Sequence, residues 1–290
     1  MSSVLIAPFT EFSFMSRSLV GMLLLCLSTA PVGVFLMLRR LSLTGDAMSH
    51  AILPGAAIGF MFAGLSVTAM TIGGFIAGSL VVVLSGLTAR QTDTGEDSSL
   101  AAFYLTSLAI GVMIISMSGS SVDLMNVLFG SALALDNAAL ILLYIICALT
   151  LITLTIIYRP LVLESVDPDF LKSISPMGSL AHYGFLILVV LNLVSGFHAM
   201  GTLMSVGLMI LPSAIARFWV KSLEVMIVSA ISIAFAACVS GLLLSFHFSV
   251  PTSPTIISVL GGSYFLSIFI GWRKGVLIKL IQRRQRHLTA

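Results

Sequence analysis

The chain has 290 residues, of which 58% are hydrophobic and only 9% charged, and its mean hydropathy is +1.14. A soluble domain carries roughly 25% charged residues, so this composition excludes a soluble enzyme and places the chain in a bilayer. The formal net charge of +3 is too small, and its carriers too dispersed, to suggest a nucleic-acid partner.

A membrane span needs about 20 apolar residues. In chain order the candidates are residues 18–38, 43–64, 66–88, 99–118, 137–157, 180–196, 201–217, 223–245 and 254–271. The expected fold is an all-α polytopic membrane protein with roughly 8–9 transmembrane helices. The first span imitates a secretory signal, with Arg17 before SLVGMLLLCLSTA and small residues near Ala30. Pro31 would directly follow the cleavage point, and the apolar run continues to Arg39, so a retained helix is the better reading. The segments 180–196 and 201–217 are short and meet near Ser195-Gly196, which suggests that one is broken or re-entrant.

The basic residues orient this arrangement. With the first span running inward, Arg39, Arg40, Arg90, Arg159, Lys172, Arg217, Lys221 and the cluster from Arg273 to Arg286 all fall on the cytoplasmic side. Of the 14 Lys and Arg, Arg17 alone is then left outside. The positive-inside rule therefore predicts an external N-terminus and a cytoplasmic C-terminus. The division follows: 1–17 extracytoplasmic, 18–271 transmembrane domain, and 272–290 a basic cytoplasmic tail suited to the anionic inner leaflet. Cys26, Cys147 and Cys238 lie in separate apolar runs without CxxC spacing and read as packing residues. No GxxxxGK[ST] phosphate loop occurs, so any energy source is an ion gradient or a separate subunit.

The stretch from Gly45 to Gly55, GDAMSHAILPG, carries the chemistry. Asp46 and His50 are i,i+4, so a helix projects both from one face. Ionisable residues in a membrane segment are costly and mark substrate or ion paths, and carboxylate plus imidazole suits first-row divalent metals. Pro54 removes the helical bond to the His50 carbonyl, freeing an oxygen beside the imidazole. Gly45, Gly55 and Gly59 allow neighbouring helices to approach closely. The competing reading makes Asp46 a helix-start cap or salt-bridge partner near Arg40.

Pro212 repeats the device in a segment rich in small residues (Gly201, Ser205, Gly207, Ser213), which reads either as a flexing, path-lining helix or as a kinked packing helix. Glu164, Asp167, Asp169 and Lys172 surround Phe170 and Leu171. An apolar pair among charges suits docking into a partner's groove, and equally describes a solvated, capped loop. His198 and His247 fall in predicted external turns with Asp123 and Asp136 on the same side, a way in for a cation or simply solvated residues. His182 and His287 are expected at cytoplasmic ends among headgroups. The scattered methionines argue mildly against a copper(I) carrier.

The run LRRLSLTGDAMSHAILPGAAIGF (38–60) resembles the signature of the bacterial manganese, zinc and iron ABC transporter permeases. The resemblance continues through VDLMNVLFGS (122–131), DPDFLKS (167–173), MGTLMSVGLMILPSAIAR (200–217) and PTSPTIISVL (251–260). It implies a permease subunit of an ATP-driven importer of Mn²⁺, Zn²⁺ or Fe²⁺ in the bacterial inner membrane. Asp46 and His50 would be the metal ligands, and Pro54, Gly207 and Pro212 the gate or path. Asp167, Asp169, Phe170, Leu171 and Lys172 would couple to the ATPase. The implied partners are a cytoplasmic ABC ATPase, an extracytoplasmic metal-binding protein, a second permease copy or sibling, and membrane lipid. No cofactor is held permanently and ATP hydrolysis is left to the separate subunit; the transported metal ion is the substrate. The Asp-Ala-x-Ser-His form is closer to manganese- and iron-type members than to zinc-type ones. Two departures stand out: Ser253 where the family often has glycine in PxGP, and Ser173-Ile174-Ser175 in place of a frequent Ala-Leu-Gly. The rival class is a proton-coupled secondary transporter using Asp46 and His50 as a relay, although no inverted repeat is evident. An intramembrane metalloprotease would need a second His and a Glu near His50, and no Glu stands there.

Overall fold

The structure, a computed structural model, describes residues 12–64, 66–92, 95–117, 135–166 and 177–272. Within these, ten helices follow in order: α1 (Ser13–Leu38), α2 (Ser42–Ala51), α3 (Leu53–Ala63), α4 (Val67–Gln91), α5 (Glu96–Met117), α6 (Asn137–Val166), α7 (Met177–Met200), α8 (Thr202–Ala216), α9 (Leu223–Phe248) and α10 (Thr252–Ile270). Seven of them, α1, α4, α5, α6, α7, α9 and α10, are long and apolar enough to cross a membrane. The chain is an all-α polytopic membrane protein. Residues 1–11 and 273–290, and with them most of the expected outer segment and basic tail, lie outside the described residues.

Three elements differ from the sequence reading. The expected single span at 43–64 is two helices, α2 and α3, joined at Ile52. Pro54 falls in the first turn of α3, where the missing N–H is not needed and the fixed φ favours a fresh start. The break expected at Ser195-Gly196 is absent: α7 runs through both residues to Met200. Ser195 Oγ turns back to the Asn192 carbonyl of its own helix at 2.8 Å, and Gly196 leaves room for Ser205 of α8. The chain turns instead at Gly201, whose φ of 86° is open to glycine and strained for other residues. Third, α6 extends well past 157 to Val166, taking Arg159, Pro160 and Glu164 into the helix.

Enclosure separates central posts from outer walls. The apolar windows of α1 and α7 are 72% and 67% buried, against 22–33% for α4, α5, α6, α9 and α10, so the latter five present faces to lipid or a partner. One core gathers Leu25, Cys26, Met204, Leu208, Cys238 and Leu242 from α1, α8 and α9. A second gathers Phe35, Met48, Leu161, Phe185 and Val189 from α1, α2, α6 and α7. Lipid tails are as apolar as these side chains, so association rests on close packing of small residues. A Cβ on Gly33 of α1 would lie 1.6 Å from the Met209 carbonyl oxygen of α8. Likewise, Cβ atoms on Gly55 and Gly73 would lie 2.0 and 2.1 Å from each other's carbonyl oxygens, where α3 crosses α4.

The thiols of Cys26 and Cys238 touch at 3.7 Å without a disulfide, so two of the separately placed cysteines are packing neighbours. Arg39, Glu96, Glu164 and His182 meet at one end of the bundle, which gathers the C-terminal ends of α1 and α6 with the N-terminal ends of α5 and α7. At the opposite end Ser253 Oγ donates to the Met200 carbonyl at 2.9 Å, joining the start of α10 to the end of α7.

Candidate functional site

Helix α2 buries Thr44, Gly45, Ala47, Met48, Ser49 and Ala51. Those positions face α1, α5 and α7 and leave one stripe uncovered: Leu43 at 86% exposure, Asp46 exposed and His50 half-buried. The spacing 43, 46, 50 is one helix face. The i,i+4 pair singled out in the sequence thus shares a face turned away from the chain's own core. Ser49 Oγ donates to the Asp46 main-chain carbonyl at 2.7 Å. Asp46 is not the helix cap: α2 begins at Ser42, with Leu41 as its N-cap residue. No group of three or more His, Cys, Asp and Glu able to hold a metal occurs among the described residues, so this chain brings two such ligands to the stripe.

The broken helix disposes of its carbonyls differently from the sequence reading. The His50 carbonyl, expected to be free, receives the Ile52 N–H. The Ala51 carbonyl receives the Ser107 hydroxyl of α5 at 3.1 Å. Both partners satisfy groups that would be costly to leave bare in an apolar setting. Pro54 itself is buried, and a Cβ on Gly111 of α5 would lie 2.9 Å from its nitrogen.

Helix α5 was expected as a span, but its part in this site was not. Its Leu100 joins Ala47 and Ala51 in a small buried cluster that includes the flank of Tyr104. The Tyr104 ring stacks on the His50 imidazole with centroids 6.3 Å apart and planes 29° from parallel. Ser107 and Gly111 then complete the contact with Ala51 and Pro54. Positions 100, 104, 107 and 111 form one stripe at helical spacing, a signal present in the sequence but indistinguishable there from ordinary packing.

The remaining expectations divide. Gly207 and Pro212 both lie buried in α8; a Cβ on Gly207 would sit 2.2 Å from the Ile257 side chain of α10. Asp167, Asp169, Phe170, Leu171 and Lys172 lie outside the described residues, as do Asp123 and His287. Glu164, expected in the same loop as Asp167, is instead on α6 and pairs with Arg39. His182, expected among headgroups, contacts Arg39 and Glu164 through Nδ1 and Glu96 through Nε2 at 2.9 Å. The Arg39 guanidinium also lies 5.1 Å from the Phe185 ring centroid, a cation–π arrangement, and burial lowers its pKa from the ordinary value. Asp136 caps α6 by accepting the Ala139 N–H at 2.8 Å, a use its position just before the helix could have signalled. Both ring nitrogens of His198 are buried while His247 is exposed, and among the described residues neither joins a group of three or more metal-ligating side chains.

Similarity to known proteins fits this arrangement. The ABC 3 transport family matches residues 11–271. The manganese import system permease protein ScaB of Streptococcus gordonii is 29% identical over 273 residues, covering 94% of this chain and 96% of its own. The chelated iron transport system membrane protein YfeD of Yersinia pestis is 29% identical over 257 residues, covering 89% and 85%. Among solved structures, PsaBC from Streptococcus pneumoniae in complex with Fab superposes with a TM-score of 0.83 at 28% identity, covering 94% of this chain and 98% of the other. A split helix with an outward Asp/His stripe, set in a bundle of apolar helices, therefore sits in a member of the ABC 3 transport family, a multi-pass permease of the bacterial inner membrane.

Proposed function

We propose that the chain is the translocation subunit of an ATP-driven importer of divalent transition metals, and that Asp46 and His50 hold the ion in transit. The observation that carries this reading is the uncovered Leu43–Asp46–His50 stripe on α2, because an ionisable pair is costly at such a place without a use. Two ligands from one chain leave coordination positions for water or for a second copy's stripe, and an incomplete shell favours release as well as capture. Imidazole with carboxylate suits Mn²⁺, Fe²⁺ and Zn²⁺. The manganese and iron relatives favour the first two, and manganese first.

In this reading the chain supplies a path and a gate, while hydrolysis belongs to a cytoplasmic ABC ATPase and delivery to an extracytoplasmic metal-binding protein. Residues 167–172 form the docking segment for the ATPase, with Phe170 and Leu171 entering its groove. Pro54, Gly207 and Pro212 are the flexing points. Two permeases, copies or siblings, face each other across the ion path. The N-terminus is external and the C-terminus cytoplasmic.

The test is ion uptake into vesicles that contain the chain with its ATPase and binding protein. Wild type and Asp46→Asn/His50→Ala are compared for Mn²⁺, Fe²⁺ and Zn²⁺. Loss of uptake with ATPase assembly intact supports the site, and the preferred ion names the substrate. Undiminished uptake by the double variant sinks it.

A further inference from the structure

Helix α5 is anchored unevenly. Its substantial packing partners are α2, α3 and α4, and its opposite face is open, with Leu105, Ile110, Val112 and Met113 exposed. It reaches the central post α7 through Glu96 in its first turn, whose Oε1 meets His182 Nε2 at 2.9 Å. The inner part of the same cluster is closed: the Arg39 side chain is 6% exposed and that of Glu164 13%, against 49% for Glu96. Removing one partner from a buried ion pair strands a charge, whereas a pair open to water is worth little and parts readily. The cluster therefore has a fixed half, tying α1 to α6 and α7, and a breakable half, tying α5 to α7.

What lies along α5 gives the breakable half its meaning. Tyr104 is one turn from Leu100 and two from Asp97, on the helix that also holds Ala51 and Pro54 in place. Beside Glu96, a small pocket lies among Thr44 and Met48 of α2, Ser85 of α4, Leu186 of α7 and the first turn of α5. Swinging the Glu96 end outward would widen that pocket along α2 and withdraw Tyr104 from the His50 ring.

We propose that Glu96 and His182 form a clasp that opens during transport: closed, it holds α5 against α2 and seats the His50 imidazole through Tyr104; open, it frees that imidazole and uncovers the Ala47 flank of α2 at that end of the bundle. Glu96 and His182 are positioning residues, and the proposal rests on the reading of Asp46 and His50 as the ion site.

Two measurements on the chain assembled with its partner subunits test it. The first needs no metal: Ala47→Cys, buried between α2 and α5 at 8% exposure, is labelled with a membrane-impermeant maleimide in inside-out vesicles. The unsubstituted chain, whose three native cysteines are buried, serves as the blank. Glu96→Ala should raise the labelling rate about tenfold, and Glu96→Gln, which still hydrogen-bonds the imidazole, should restore most of the protection. The second bridges Glu96→Cys/His182→Cys with a short, reducible bis-thiosulfonate linker. Uptake should stop when bridged and return on reduction. Unchanged labelling in Glu96→Ala, or full uptake by the bridged protein, overturns the clasp. If Asp46→Asn/His50→Ala transports normally while the bridge still stops uptake, the ion site is wrong and the moving helix stands; if that variant fails while the bridged protein transports, the site stands and the clasp falls.

Discussion

The crossing of α3 over α4 permits a sharp test of how the split helix is held. A Cβ on Gly55 would lie 2.0 Å from the Gly73 carbonyl oxygen, 2.5 Å from its carbon and 2.6 Å from the Ala77 Cβ. Two of these atoms are backbone, so no side chain can swing aside. Restoring the 3.4 Å of ordinary contact parts the helices by about 1.4 Å, and even a gap of ~0.5–1 Å forfeits a quarter to a half of each contact's attraction. Overpacking of this kind costs about 1–3 kcal/mol, while alanine's better helix propensity returns up to ~1 kcal/mol. Because the nearest clashing atoms are backbone, the cost lies at the top of that range, and Gly55→Ala should lose about 2 kcal/mol net. Gly184 of α7 has nothing within 4 Å of its hypothetical Cβ, so the same methyl there should gain up to ~1 kcal/mol. At about 2–4 °C per kcal/mol, the two variants should melt roughly 6–12 °C apart. Thermal unfolding of the detergent-solubilised protein, followed by size-exclusion recovery, reads the difference. Melting of Gly55→Ala within about 2 °C of Gly184→Ala would refute the argument that backbone contact seats α3.

Other changes probe the remaining joints. Ser253→Ala deletes the buried bond to the Met200 carbonyl and should cost about 1–2 kcal/mol, read as a fall in melting temperature with ion preference unchanged. Arg39→Met alone leaves Glu164 as a buried carboxylate and should cost about 3–5 kcal/mol. Adding Glu164→Gln should recover part of that loss, which a double-mutant melting cycle measures. Tyr104→Ala removes the ring against His50 and should weaken ion capture at low ion concentration more than the maximal uptake rate; equal losses in both would argue against a seating role.

Much of the architecture was legible because the bilayer imposes simple demands. Long apolar runs must become helices when no water is available to the backbone, and the i,i+4 spacing of Asp46 and His50 fixes a shared face whatever surrounds it. The order and rough extent of α1, α4, α5, α9 and α10 followed from that alone, while the family resemblance rested on the motifs around Gly45–Gly55 and beyond. Apolarity without period says where a helix lies but not where it bends. Thus Pro54 marked the neighbourhood of the α2–α3 joint, whereas the turn at Gly201 and the run of α7 through Ser195-Gly196 are tied to how α7 packs on α8, where Gly196 leaves space for Ser205. The fates of individual polar groups were likewise decided in three dimensions. Glu164 and His182 are 18 residues apart, Arg39 and Glu164 are 125 apart, and Glu96 and His182 are 86 apart. Sequence determined which residues are too polar to face lipid unpartnered; tertiary structure chose their partners, because pairing depends on helix ends meeting across the bundle, and no local spacing encodes that meeting.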